Sequence, residues 1–251
     1  MSIPAEKHAA PTSLLARQPI YRQDLSVFGY ELLFRTSQPA STSEFDGNLA
    51  TTSVVLAAFV DIGLNALVGN HRAFVNFPRD FLVGRRPIPD RSKQLVIEIL
   101  EDIRIDDELI AGLTRLKDQG YTLALDDVVY SEMLLPIMHL IDIVKLEYPA
   151  ILKGQLDNHV AGFREWPVQL LAEKIETREE FEECRDAGFD FFQGFFLSQP
   201  EIVRSRVSDR QSPMLPLLSK LHSSCDNFDE LEQLVRNDAD LCFRMMRYLH
   251  S

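Results

Sequence analysis

The sequence predicts an α/β fold whose short strands close into a (β/α) barrel, followed by an all-helical segment. Three observations carry this. Apolar, β-prone runs recur, each followed by a longer charged, helix-compatible stretch: "RAFVNF" at 72–77, "QLVIEI" at 94–99, "TLALDD" at 122–127, "DIVKLE" at 142–147, "VQLLAE" at 168–173 and "FDFFQG" at 189–194. Six such runs, with "RQPIYR" and "GYELLFR" ahead of them, are too many for a small open sheet. After "LSQPEIV" the strand signal stops, and from about Ser212 the chain reads as helix alone. The predicted division is therefore a barrel over residues 1–203 and a helical segment over 204–251, with the boundary near 203–212.

The helices between the strands carry their own punctuation. In "DDELIAGLTRLKDQG" the apolar Leu109, Ile110, Leu113 and Leu116 recur at roughly helical spacing, and Gly120 stands where a stop is expected. "TREEFEECRDAGF" offers Thr177 as N-cap, acidic residues in the first turn and Gly188 near the end. The last segment, "SPMLPLLSKLHSSC" and "NFDELEQLVRNDADLCFRMMRYLHS", is amphipathic but too short to hold much core alone. It is expected either to dock on the barrel or to begin a domain that this chain does not complete.

Composition excludes several classes. With 251 residues, 45% of them hydrophobic, the chain can bury a large core. Its formal charge of −12 argues against DNA and anionic membranes as partners. Cys184, Cys225 and Cys242 form no CxxC pair, which speaks against zinc clusters and disulfide frameworks and for a reducing, cytoplasmic setting. No run approaches the ~18 apolar residues of a membrane span, and the N-terminus has no secretory h-region.

Active sites of (β/α) barrels lie at the C-terminal ends of the strands. The polar residues closing the runs are Glu31, Asn76, Glu98, Asp126, Asp127, Lys145, Glu173 and Gln193. Individually, an Asp or Asn past a strand is ordinarily a turn former or helix cap, and the Asp126–Asp127 pair could simply begin the next helix. Lys145 could pair with Asp142 or Glu147, and Gln193 could be a turn residue. Collectively, nearly every run ends this way. Carboxylate and amide oxygens suit Mg²⁺, Mn²⁺ or Ca²⁺, and a pair of such ions is usual equipment for phosphodiester hydrolysis. The six histidines do not cluster at ligand spacing. Trp166 and the aromatic run "FDFFQGFF" read as core, with one aromatic near Gln193 available to stack on a base.

In this order the motifs resemble those of the EAL domain family, which hydrolyses cyclic di-GMP to linear pGpG on a modified (β/α)8 TIM-type barrel. The likeness runs from "ARQPIYR" to "FQGFFLSQP". "ELLFR" is similar to E-A-L-L-R and keeps Glu31 and Arg35; "EILE" stands for E-x-T-E, "DIVKLE" for D-x-x-K-I-D and "AEKIET" for A-E-G-V-E-T. The resemblance implies Glu31, Asn76, Glu98, Asp126 and Asp127 as metal ligands, and Glu173 and Lys145 as the catalytic pair. It further implies Gln18, Arg35 and Gln193 as substrate contacts and Glu101 as support for the loop after the aspartates. The implied cofactor is Mg²⁺ or Mn²⁺, with Ca²⁺ inhibitory, and the implied ligand is cyclic di-GMP.

Two departures lower the expected turnover. "DDVVYS" replaces D-D-F-G-T-G, so Val128, Val129, Tyr130 and Ser131 stand where the family has a glycine-rich loop, and β-branched residues do not readily take glycine conformations. Lys174 replaces a glycine beside Glu173. The intervals from Glu31 to Asn76 and from Asn76 to Glu98 are short for the family, implying trimmed helices. The C-terminal segment is similar to the first helices of an HDOD domain, implying a protein partner on that side and, as an alternative to catalysis, a receptor that passes a bound nucleotide's signal to a helical output.

Overall fold

The computed structural model describes residues 13–36, 63–89, 93–128, 131–148 and 156–203. The HDOD-like segment, the 203–212 boundary, Val129 and Tyr130 and the stretch 37–62 lie outside the described residues.

The strands are β1 (Ser13–Arg22), β2 (Val27–Thr36), β3 (Arg72–Asn76), β4 (Leu95–Ile99), β5 (Thr122–Leu125), β6 (Ile143–Glu147), β7 (Gln169–Glu173), β8 (Phe191–Phe192) and β9 (Glu201–Val203). Strands β2 to β8 pair in order and in parallel, and β1 closes the barrel by pairing with both β8 and β2. It runs antiparallel to both, because only the short turn Gln23–Ser26 separates it from β2 and a parallel return needs a crossover. The eight-stranded closed barrel is the one the run pattern predicts. The sequence reading missed β9, which adds antiparallel to β1 outside the closure. Arg17 secures that edge: its guanidinium meets Glu201 at 2.9 Å, donates to the Leu67 carbonyl and lies over the Tyr30 ring.

The helices are α1 (Leu64–Val68), α2 (Arg79–Leu82), α3 (Asp107–Asp118), α4 (Leu135–Met138, entered through a 3₁₀ turn at Glu132–Leu134), α5 (Leu156–Arg164) and α6 (Arg178–Asp186). Asp106 caps α3 by accepting from Leu109 N–H, and Leu109, Leu113 and Leu116 are buried against the barrel. Thr177 caps α6 within a capping box completed by Glu180. Gly120 and Gly188 both take positive φ just past these helices, as their positions predict. Between Asn76 and Glu98 the described residues hold only the one-turn α2, which fits the short interval there.

A small apolar layer fills the barrel axis. It is built from Ile20, Phe74, Val96, Ala124, Ile143, Leu171 and Phe191, with Phe28 stacked on Phe191 at 4.0 Å between ring centroids. Gly29 belongs to this layer by necessity, since a Cβ there would lie 2.9 Å from both the Phe74 ring and the Arg72 carbonyl. The larger core lies outside the strands, where Leu95, Ile97, Ile99, Leu123, Leu170 and their neighbours meet the helices.

Candidate functional site

Side chains alternate across a strand with period two, so the residue two places beyond each plug residue also faces the axis, one layer nearer the C-terminal mouth. Stepping on from Phe74, Val96, Ala124, Ile143, Leu171 and Phe191 gives Asn76, Glu98, Asp126, Lys145, Glu173 and Gln193. On β1, which runs the other way, two places back from Ile20 gives Gln18, registered opposite Glu31 of β2. One pleat therefore converts an apolar plug into a continuous polar layer.

Lys145 stands at the centre of that layer, 1% exposed. Its Nζ lies 2.5 Å from Asp126 Oδ1, 2.6 Å from Glu98 Oε1, 3.1 Å from Glu173 Oε1 and 3.9 Å from Glu31 Oε1. The alternative pairings for this lysine are closed off, because Asp142 is held by Lys117 at 2.7 Å and Glu147 by Lys174. Gln193 donates to Glu31 Oε2 at 2.7 Å, and Gln18 donates to the Ser198 carbonyl at 3.4 Å. Asn76 is registered beside Glu98 across β3 and β4, and Arg35 lies further along β2, opposite Leu14.

Asp126 is buried and no helix begins at the aspartate pair; the next one starts at Glu132, capped by Ser131. Asp127 takes a left-handed backbone, φ 51°, and Val128 after it is buried. Lys174 is likewise left-handed, φ 57°, at a cost of roughly 1 kcal/mol for a side chain with a Cβ. Its ammonium pairs with Glu147 and stands 4.0 Å from Asp127 Oδ2. Glu101 is exposed in the turn after β4; partial desolvation and the nearby Asp127, Asp102 and Asp126 raise its pKa.

The electrostatics of the layer are dominated by unequal numbers. Burial pushes the Glu98 and Glu173 carboxyls well above the usual range, and the neighbouring carboxylates add to that, with Lys145 opposing. For Lys145, burial disfavours the charge, but Glu173, Glu31, Glu98 and Asp126 outweigh it and hold the ammonium protonated. Carboxylate oxygens of Asp126, Asp127 and Glu173 all lie within 4.8 Å of one another. Glu98 Oε2 and Glu173 Oε2 are buried without a hydrogen-bond partner among the described residues. An all-oxygen donor set with orphaned, charge-deficient carboxylates fits a hard divalent cation.

The aromatic run divides. Phe189, Phe191 and Phe192 are core as expected, whereas Phe195 and Phe196 are exposed just beyond Gln193. Cys184 is buried on α6 with its thiol pushed up to about 12 by burial, so it carries no evident chemistry. Among the described residues, no helix is long and apolar enough to cross a membrane.

The chain is thus a closed eight-stranded barrel with one antiparallel strand, carrying at its C-terminal mouth an acidic polar layer with the donor chemistry of a divalent-cation site. Residues 56–200 match the EAL domain, and the chain belongs to that family. It is 34% identical over 250 residues to the cyclic di-GMP phosphodiesterase CdgJ of Vibrio cholerae, covering 96% of this chain and 56% of that one. The chain thus spans little more than half the length of that relative. Among solved structures it resembles the PaMucR phosphodiesterase in complex with cyclic di-GMP, with a TM-score of 0.61 and 20% identity over 76% of this chain and 98% of that one. Klebsiella pneumoniae BlrP1, in a manganese and cyclic di-GMP complex, gives the same TM-score at 21% identity over 77% and 59%.

Proposed function

We propose that this chain is a divalent-metal-dependent phosphodiesterase that opens cyclic di-GMP to pGpG. The observation that carries the reading is the convergence of Glu31, Glu98, Asp126 and Glu173 on one buried lysine, with Asp127 at its edge. Glu31, Asn76, Glu98, Asp126 and Asp127 are the residues that would hold Mg²⁺ or Mn²⁺. A bound divalent ion supplies Lewis acidity toward phosphate and the positive charge that the buried carboxylates lack.

The chain's own residues do the rest. Glu173, whose carboxyl is pushed up by burial and so favours holding a proton, takes the proton of the attacking water as its oxygen bonds to one phosphorus in line; the bond to the 3′ oxygen breaks, and that oxygen leaves as a hydroxyl with a proton from solvent. Lys145 keeps the carboxylates converged and offers its charge to a phosphate oxygen. Gln193 fixes Glu31; Gln193, Gln18 and Arg35 would contact the nucleotide, and Glu101 would support the turn at Asp127. Ca²⁺ would occupy the ligands without supporting turnover. The reaction belongs in the cytosol, and residues 204–251, HDOD-like in sequence, would form a separate unit that meets a protein partner.

A second reading, a receptor that binds cyclic di-GMP with little turnover, is favoured by the glycine-free "DDVVYS" turn and its left-handed aspartate. Incubation with cyclic di-GMP and Mg²⁺ or Mn²⁺, following pGpG by chromatography, separates the two when bound nucleotide is measured calorimetrically in Ca²⁺. Turnover abolished in Glu31→Ala and Glu173→Ala establishes the enzyme. Binding without pGpG establishes the receptor.

A further inference from the structure

Glu147 and Glu173 end adjacent strands in direct register, which sets two carboxylates side by side at the mouth of the barrel. The next residue, Lys174, turns left-handed and carries its ammonium back over this rim, into an ion pair with Glu147 and to 4.0 Å from Asp127 Oδ2. Asp127 is one corner of the group formed with Asp126 and Glu173, and Glu173 Oε2 is buried there without a hydrogen-bond partner among the described residues. A fixed positive charge therefore stands against the carboxylate most exposed to an arriving cation. Lys145 lies beneath the same group and is fully engaged with Glu98, Asp126 and Glu173, so Lys174 is the lysine whose charge falls on the Asp127 side.

We infer that Lys174 is a positioning residue that sets the affinity of the Asp126–Asp127–Glu173 group for a divalent ion, lowering it by competing for Asp127. The inference rests on the reading of this group as a cation site. Lys174 is about half exposed, so its field is screened and the effect is moderate, dependent on salt, and confined to metal affinity.

The test is a calorimetric titration of Mn²⁺ into the metal-stripped chain, in the wild type, Lys174→Arg, Lys174→Met and Lys174→Gly, at low and high ionic strength. Lys174→Arg keeps the charge and is expected to match the wild type. Lys174→Met keeps the bulk and the left-handed backbone but loses the charge, and is expected to bind Mn²⁺ about two- to fivefold more tightly, the upper part of the worth of one partly exposed charge. Lys174→Gly should match Lys174→Met, and the gain should shrink in high salt. Equal affinity across all four proteins overturns the inference while leaving the cation site standing. A gain in Lys174→Gly alone also overturns it, since backbone relief and not charge would then be responsible. No Mn²⁺ binding by any of them removes the cation site, and the inference with it.

Discussion

Replacing Lys145 with methionine removes the cation that, among the described residues, stands at the centre of the polar layer, while keeping its aliphatic length. Each of its closest contacts, at 2.5 and 2.6 Å, corresponds to about 6 kcal/mol of attraction at an effective dielectric near 20. The desolvation of a fully buried ammonium offsets much of that, so the net effect is that of breaking a buried ion pair from one side, about 3–5 kcal/mol. At about 2–4 °C per kcal/mol for a chain of this size, the metal-free melting temperature should fall by roughly 6–20 °C. Protonation of Glu98 and Glu173 relieves some of the repulsion, so the loss should be smaller at pH 5 than at pH 8. Mn²⁺ should restore more stability to the variant than to the wild type, because an added cation answers the same deficit. The assay is thermal unfolding in EDTA and in Mn²⁺. A Lys145→Met melting temperature within 2 °C of wild type in EDTA at pH 8 would refute this account of the layer.

Two further outcomes follow from the same geometry. Because the folded-state pKa of Glu173 is raised, its contribution to stability is fully present below the unfolded glutamate value and is lost as pH rises through the raised one. In EDTA, Glu173→Gln should therefore melt progressively higher than wild type as pH goes from 5 to 8, and a flat difference would contradict the assignment. Gly194 packs on the backbone of Ile175, where a Cβ would lie 2.1 Å from the carbonyl oxygen. Gly194→Ala should cost about 1–3 kcal/mol in chemical denaturation and, by shifting the adjacent Gln193, should weaken cyclic di-GMP binding as well.

The sequence by itself determined the eight strands of the closed barrel, the barrel class, the helices α3 and α6 and nearly all the polar residues at the strand ends. These are properties of local periodicity and punctuation: an apolar run too short for a helix, a Thr three places before a Glu, a polar residue closing nearly every run. Ordinary turn chemistry competed with function at each position until the fold placed them together. Only the closed barrel decided that Lys145 points inward to four carboxylates while Asp142 and Glu147 go to other lysines, since inside and outside are indistinguishable along an isolated strand buried on both faces. The closure of the barrel by β1 against β8 and the edge strand β9 also depended on pairings between residues about 170–190 positions apart. The left-handed Lys174 had one faint sequence signal, its place where the family keeps glycine. Its reach to Glu147 and Asp127 depends on the register of β6 against β7, and register is a property of the assembled sheet.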